Sequence, residues 1–182
     1  MLIAIIVIVV LVVLAVVMMY NGLVRQRNLV DEAESQIDVQ LQRRADLLPN
    51  LLETVKGYAA HEKETLAKVT EMRTQISDPN ASLGDKVKAD NQLTDTLNHL
   101  FAVSENYPDL KANQNFMSLQ EELANTENKI SFSRQNYNAN VMELNNKLQS
   151  FPSNLVAKLG NFKQKEFLQV PESAKEVPQM KF

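Results

Sequence analysis

The sequence VDEAESQIDVQLQRRADLLPNLLETVKGYAAHEKETLAKVTEMRTQI, residues 30–76, carries apolar or small side chains at steps that are mostly of three and four residues. This period is typical of one helix face, which must be buried against other helices. The face comprises Val30, Ala33, Ile37, Leu41, Leu48, Leu51, Val55, Tyr58, Leu66, Val69, Met72 and Ile76. The phase continues through Pro49, which lacks the N–H that would bond the carbonyl of Ala45, so we expect one long helix kinked near Pro49. A true break at Pro49, giving two helices, is the alternative.

Residues 77–84, SDPNASLG, have the composition of a turn, and Ser82 and Asp85 have the spacing of a capping-box variant. Beyond this turn, three apolar stripes predict three more helices. Their apolar positions are Val87, Leu93, Leu97, Leu100 and Val103; then Phe116, Leu119, Leu123, Ile130, Tyr137, Val141, Leu144, Leu148 and Phe151; and finally Leu155, Val156, Leu159 and Phe162. Strands have little support, because no segment alternates with period two. The sequence predicts an all-α fold, an antiparallel helical bundle of the four-helix type.

The first twenty residues, MLIAIIVIVVLVVLAVVMMY, are apolar and uncharged. At about 1.5 Å per residue they span roughly 30 Å, the thickness of a bilayer's hydrocarbon core. A cleaved signal peptide is the competing interpretation, but no Lys or Arg precedes the run and residues 16–20 offer no small-x-small cleavage site. We therefore predict a transmembrane helix over residues 1–20, a helical bundle domain over 21–165 and an extended tail over 166–182.

Basic residues follow the apolar segment and none precedes it. Arg25 and Arg27 lie just beyond it, with Arg43 and Arg44 further along. The positive-inside rule then predicts a single-pass protein with the bulk of its domain in the cytoplasm. The opposite, extracytoplasmic placement is the alternative. Arg25 and Arg27 are also suited to contact anionic lipid headgroups.

Composition excludes several classes of function. The 182 residues contain no cysteine, which excludes a disulfide scaffold, a thiolate nucleophile and a Cys-ligated metal. A net charge of −3 argues against nucleic acid as a partner. The four glycines form no phosphate-binding loop, and no serine lies in a G-x-S-x-G elbow. We predict no catalytic residue and no cofactor.

Residues 27–64, RNLVDEAESQIDVQLQRRADLLPNLLETVKGYAAHEKE, together with the apolar start, resemble the LemA family of bacterial membrane proteins. Later blocks follow in the family's order: YPDLKANQNF (107–116), LQEELANTENKI (119–130), RQNYN (134–138) and FPSN (151–154). The resemblance implies one N-terminal span, a four-helix-type bundle and no established reaction. Members are often encoded near a membrane zinc protease, which hints at cell-envelope maintenance.

The chain departs from the family pattern at three places. Glu34 stands where the family often has an aromatic residue, and Leu144 where it often has Tyr. Phe167 is followed by Leu168 instead of a second Phe. These departures affect aromatic contacts at those positions and leave the expected fold unchanged.

His61 and His99 are the two histidines. A di-iron bundle site needs Glu three residues before each histidine, but Tyr58 and Thr96 occupy those positions. Asp95 lies one helical turn before His99, and an acid adjoins His61, so a metal-dependent hydrolase using both histidines is the alternative function. The simpler interpretation is that both histidines face solvent or form ion pairs. We predict no metal site.

Charged residues fall on the apolar stripes at Arg44 in the first helix and at Glu127 and Arg134 in the third. A buried charge without a partner costs several kcal/mol, roughly, so such groups should pair. We expect a buried polar layer in which Arg44 pairs with Glu127, and Arg134 with Asp38 or Asp46. Such a layer would fix helix register. Alternatively, these long side chains extend to solvent beside the stripe.

The outer side of the third helix is rich in amides. Asn and Gln occupy 13 of the 39 positions between residues 112 and 150. Uncharged polar groups lose water more cheaply than charged ones, so this composition suits a protein interface; compositional drift is the alternative. We predict an interaction surface on the polar faces of the first and third helices, around Arg43, Asp46, Asn50, Lys56 and Asn138.

These observations predict a membrane-anchored scaffold or interaction protein without evident catalytic chemistry. Its expected partners are the lipid bilayer and either another protein or a second copy of the chain. If the anchor continues into the first bundle helix, the helix would transmit position rigidly, although Gly22 is a potential hinge.

Overall fold

A computed structural model describes residues 1–58 and 62–169. The helices are α1 (Leu2–Lys56), α2 (Lys63–Ile76), α3 (Leu83–Ser104), α4 (Pro108–Lys111), α5 (Gln114–Gln149) and α6 (Ser153–Leu159). These described residues include no strand, which confirms the all-α prediction. The antiparallel four-helix arrangement stays a prediction.

The described residues divide into two compact units. The first unit comprises Met1–Ser35 and Arg134–Phe167. The second comprises Gln36–Ser133, apart from residues 59–61, together with residues 168–169. The predicted boundaries at residues 20 and 165 do not coincide with these divisions and stay predictions. Most of the predicted tail, including Pro171 and Pro178, lies outside the described residues.

The helix predicted to run from residue 30 to residue 76 is two helices. α1 passes through Pro49 without interruption, so the alternative of a break at Pro49 is wrong. α1 instead ends at Lys56, and α2 begins at Lys63. Gly57 follows the last helical residue. Inside a helix a glycine is less favourable than an alanine by about 1 kcal/mol, and Gly57 avoids this cost because it lies outside α1. The kink itself stays a prediction.

One helix in the described part of the chain, α1, is long and apolar enough to cross a membrane by length and composition. Its large apolar side chains from Leu2 to Met18 are exposed, as lipid-facing side chains would be. The single candidate span therefore agrees with the sequence prediction. Its orientation stays a prediction.

The second unit is built on buried apolar residues from α1, α2, α3 and α5. The core includes Ile37, Leu41, Leu48, Leu51, Val55, Val69, Ile76, Leu93, Leu97, Leu100, Phe116, Leu123 and Ile130.

The predicted cap of α3 is confirmed, since the Ser82 hydroxyl accepts a hydrogen bond from the Asp85 N–H at 3.2 Å.

The first unit contains a small apolar cluster between α1 and α6. Leu23, Val156 and Ala157 are its buried members. The partly buried side chains packed against it are Met19, Leu148 and Phe162. The predicted inward stripe of α6 is therefore wrong at Leu155 and Leu159, which are exposed, as is Phe151 just before the helix. Tyr58, placed on the first stripe, is exposed as well.

α6 ends in a Schellman motif. The Phe162 N–H bonds the Ala157 carbonyl at 3.0 Å and the Asn161 N–H bonds the Lys158 carbonyl at 3.2 Å. Asn161 has a φ of 52°, a left-handed conformation that Asn tolerates better than most residues. The motif brings Phe162 back over the end of α6, next to Ala157.

The Phe162 ring fills a narrow space. It meets the Tyr20 ring edge-to-face, with centroids 5.6 Å apart, and the Arg27 guanidinium lies 5.6 Å from its centroid. A Cβ added at Gly160 would lie only 2.6 Å from Phe162 Cε2 and 3.2 Å from Tyr20 Cε2. Any larger residue at position 160 would therefore force the Phe162 ring to shift.

Candidate interaction site: a buried ionic layer and the outer face of α1

Arg44 of α1 occupies the centre of a buried polar group, here called the Arg44 layer, with Asp90 and Thr94 of α3 and Glu127 of α5. Arg44 Nη1 donates to Asp90 Oδ1 at 2.7 Å and to Thr94 Oγ1 at 3.1 Å, and it forms an ion pair with Glu127 Oε2. Thr94 Oγ1 also donates to Glu127 Oε2 at 2.8 Å. Arg44 is 3% exposed, Asp90 0% and Glu127 30%. One guanidinium therefore joins three helices within the second unit.

Arg44 and Glu127 are thus brought together, as predicted from the sequence, but Asp90 was not predicted. Asp90 lies three residues after Val87 and three before Leu93, on the apolar stripe of α3. The rule that singled out Arg44, a charge on a stripe, would have found it. α3 therefore contributes to the Arg44 layer as much as α5 does.

Arg134 belongs to the first unit and is 6% exposed. The acids suggested for it have other partners. Asp38 accepts from Lys86 Nζ at 3.1 Å, and Asp46 accepts from Gln42 Nε2 at 2.8 Å. The pairing of Arg134 with either acid stays a prediction.

Three residues of the predicted interaction surface share one exposed side of α1. Arg43, Asp46 and Asn50 follow one another at helical spacing, and all three are exposed. Val39, one turn earlier on this side, is 62% exposed. We call these four residues the outer face of α1. Val39 was not predicted as part of this surface. Its position could have indicated it, because a residue two positions from both Ile37 and Leu41 lies off the buried stripe that they share.

The other two predicted surface residues lie elsewhere. Lys56 is six residues beyond Asn50, which turns it well away from the outer face of α1. It lines a cleft with Leu52, Lys63, Leu66, Ala67 and Thr70. Asn138 is half-buried in the first unit. The five residues are therefore not one continuous face of α1.

His99 is exposed on α3 and lines a cleft of ≈ 490 Å³ together with Asp95, Glu62 and Glu64. His61, the other histidine of the alternative hydrolase, lies outside the described residues. Within residues 1–58 and 62–169, no three His, Asp or Glu side chains are placed to hold a metal ion. The cleft is open to solvent, and its acids Asp95 and Glu64 are exposed while Glu62 is half-buried.

Polar side chains of α5 hold the extended segment that follows α6. Asn145 Nδ2 donates to the Lys165 carbonyl at 2.9 Å, and its Oδ1 accepts from the Lys165 N–H at 3.1 Å. The Tyr137 hydroxyl donates to the Glu166 carbonyl at 3.3 Å. Asn145 is only 8% exposed, so this amide serves the first unit's own packing and is not part of an outer surface.

The side chain of Lys165 returns to α1. Its Nζ lies 3.3 Å from both Asp31 Oδ1 and Glu34 Oε2. Partial burial alone would lower the pKa of Lys165, but the Glu34 and Asp31 carboxylates outweigh it and raise that pKa. Burial, with Glu34 nearby, also raises the pKa of Tyr137. Glu34, one departure from the family pattern, therefore has an ionic role here.

The family model of the LemA family matches residues 33–182. Among curated relatives, Protein LemA of Metamycoplasma hominis is 31% identical over 137 residues, covering 75% of this chain and 63% of the relative. Magnetosome protein MamQ 2 of Paramagnetospirillum magneticum is 25% identical, covering 84% and 65%. Magnetosome protein MamQ of Magnetospirillum gryphiswaldense is 22% identical, covering 82% and 64%.

This chain spans less than two thirds of the length of each of these relatives. The family match covers most of this chain and includes α2 to α6 with the second half of α1. It also includes the Arg44 layer, the outer face of α1, and Lys165 with its partners Glu34 and Asn145, but not Asp31. The chain belongs to the LemA family.

Proposed function

We propose that this protein is a membrane-anchored, non-catalytic scaffold that offers the outer face of α1 to a protein partner, in maintenance of the cell envelope. The observation that carries the proposal is the continuity of α1 from Leu2 to Lys56. The helix that begins in the candidate span is the same helix that carries Arg43, Asp46 and Asn50.

The composition of this face supports a protein partner. The exposed Val39 supplies an apolar contact at one end of this face, and the cation, the anion and the amide that follow it supply polar contacts that would orient a partner. Arg43 and Asp46 lie one turn apart, so a partner with the opposite order of charges would match both. The Arg44 layer supports the opposite side of α1, because Arg44 binds α3 and α5.

A photo-crosslinking residue at Asp46 of the full chain, in native membranes, tests the proposal. Lys88 of α3, exposed in the same unit, is the matched control position. We expect a discrete crosslinked product from Asp46 that Arg43→Glu abolishes, and none from Lys88. A product of twice the chain's mass would identify self-association. Identical patterns from the two positions would contradict a specific surface.

We further propose that the domain lies in the cytoplasm, since Arg25 and Arg27 follow the span. Because the chain lacks cysteine, Ser118→Cys in α5 introduces a unique exposed thiol. Labelling by an impermeant maleimide should occur in inside-out membrane vesicles and not in right-side-out vesicles. The reverse result would place the domain outside.

The rival function is a metal-dependent hydrolase using His61 and His99. The cleft beside His99, with Asp95, Glu62 and Glu64, is the observation in its favour. Metal analysis of the purified full chain separates the two proposals. The scaffold proposal expects no stoichiometric metal. One equivalent that disappears in both His99→Ala and His61→Ala would favour the hydrolase.

A further inference from the structure

The short helix α6 exposes an apolar face. Phe151, just before it, is 80% exposed, Leu155 is 54% exposed and Leu159 is 86% exposed. Leu155 and Leu159 are four positions apart within α6, so they lie on one side of it, which we call the α6 outer face, and Phe151 adds a third exposed apolar side chain next to the helix. A contiguous exposed group of large apolar side chains marks a surface that contacts something other than water.

The opposite side of α6 lies against the end of the apolar segment. Val156 and Ala157 form one cluster with Leu23, against which Met19 packs. Phe162, just after α6, contacts the Tyr20 ring. Because residues 1–20 match the hydrocarbon thickness, Met19 and Tyr20 lie where hydrocarbon gives way to headgroups. α6 is therefore at the depth of the membrane interface.

The charge around α6 fits an anionic lipid surface. Residues 150–164, SFPSNLVAKLGNFKQ, contain two lysines and no acid. Lys158 and Lys163 are both exposed, as are Arg25 and Arg27 of α1. A short helix with an apolar face and flanking cations is the composition of a helix that lies in the interface plane.

We propose that α6 is an interfacial membrane helix, and that the α6 outer face inserts into the same leaflet in which the end of the span lies. The occupant of this face is lipid, because the residues behind α6 belong to the membrane end of α1 in the same unit. The chain then contacts the bilayer twice, through its span and through α6. This goes beyond the proposed scaffold function and does not depend on it.

The absence of tryptophan from the sequence provides a direct test. Leu159→Trp puts a unique fluorophore on the α6 outer face of the full chain. Phe132→Trp, at a side chain 73% exposed in the second unit, is the matched control. Both are reconstituted into phosphatidylcholine–phosphatidylglycerol vesicles, with and without brominated acyl chains. We expect blue-shifted emission from Leu159→Trp and severalfold stronger bromolipid quenching than from Phe132→Trp.

Water-like emission from Leu159→Trp, or equal quenching of the two tryptophans, would overturn the proposal. So would a blue shift that grows with the protein-to-lipid ratio without bromolipid quenching, which would assign the face to a second copy. A second variant guards against a local effect of tryptophan. With Phe151→Trp as reporter, Leu155→Asp with Leu159→Asp should abolish quenching while helical circular dichroism is unchanged. Persistent quenching in that variant would also overturn the proposal.

Discussion

The two units bury polar groups in different ways. In the second unit, the Arg44 layer joins side-chain charges from three helices. In the first unit, the Asn145 amide binds the main chain of an extended segment, and Lys165 meets its acids at a partly exposed position. The first arrangement fixes the register of helices against one another. The second fixes the path of a segment that has no helical hydrogen bonds of its own.

This difference determines how much each kind of polar contact should contribute to the free energy of unfolding. Removing one partner of a buried ion pair costs about 3–5 kcal/mol, because the remaining charge is left buried without its counter-charge. Removing one partner of a buried neutral hydrogen bond costs about 1–3 kcal/mol. Partly exposed ion pairs contribute less again. Substitutions should therefore affect the second unit's layer most.

The largest effect is expected for Arg44→Met. The substitution leaves Asp90, which is 0% exposed, without its guanidinium, so the free energy of unfolding should fall by about 3–5 kcal/mol. Urea denaturation of the full chain in detergent measures this. Arg43→Met, at the exposed neighbouring residue, should change it by less than about 0.5 kcal/mol. Equal midpoints for the two variants would contradict a stabilising layer.

A smaller loss is expected for Asn145→Ala. It removes both hydrogen bonds to the Lys165 main chain, at a cost of about 1–3 kcal/mol. Hydrogen–deuterium exchange at the Lys165 amide should become much faster. Asn146→Ala, at the exposed adjacent residue, should leave that exchange unchanged. Equally fast exchange in both variants would show that loss of the amide bond is not the cause.

Gly160→Ala tests the close packing beside α6. The added methyl would lie 2.6 Å from Phe162 Cε2, so the ring must shift from its present packing, at a cost of about 1–3 kcal/mol. Gly22→Ala meets nothing within 4 Å and should stabilise α1 by about 0.5–1 kcal/mol. Thermal unfolding monitored by circular dichroism separates the two. The same sign for both substitutions would contradict this account.

The smallest effect concerns pH. The pKa values of Lys165 and Tyr137 are raised above their usual 10.5 and 10.0, so the folded chain holds these protons more tightly than the unfolded chain. Their stabilisation is complete below the unfolded values and is lost as pH rises through the raised ones. The melting temperature should therefore fall above about pH 10. Lys165→Met should weaken this fall, and an unchanged slope would contradict the assignment to Lys165.

Local signals predicted much of the fold. The apolar period located α3, α5 and α6, and the spacing of Ser82 and Asp85 predicted the cap of α3. The gap between α1 and α2 was missed because the apolar phase continues across Gly57. α4, a single turn after Tyr107, was missed because four residues are too few to show a period.

Some of the polar contacts were likewise predictable from the sequence, and others were not. Arg44 and Glu127 were predictable because each is a charge on an apolar stripe, and Asp90 obeys the same rule. The Asn145–Lys165 contact was not predictable, because its partner is a main chain 20 residues away in a segment with no period. The exposed α6 outer face was mistaken for a core stripe, since periodicity cannot distinguish burial in protein from contact with lipid.

The part of α1 that belongs to the first unit, residues 2–35, is helical without a break, and this has a mechanical consequence. A helix without a break has no flexible joint between its lipid-embedded turns and the turns that follow. A thinner bilayer that tilts the first twenty residues must also tilt the turns of α1 that follow within the first unit, up to Ser35. Membrane thickness thereby sets the inclination of Asp31 and Glu34, and of the Lys165 side chain that they bind, to the lipid plane.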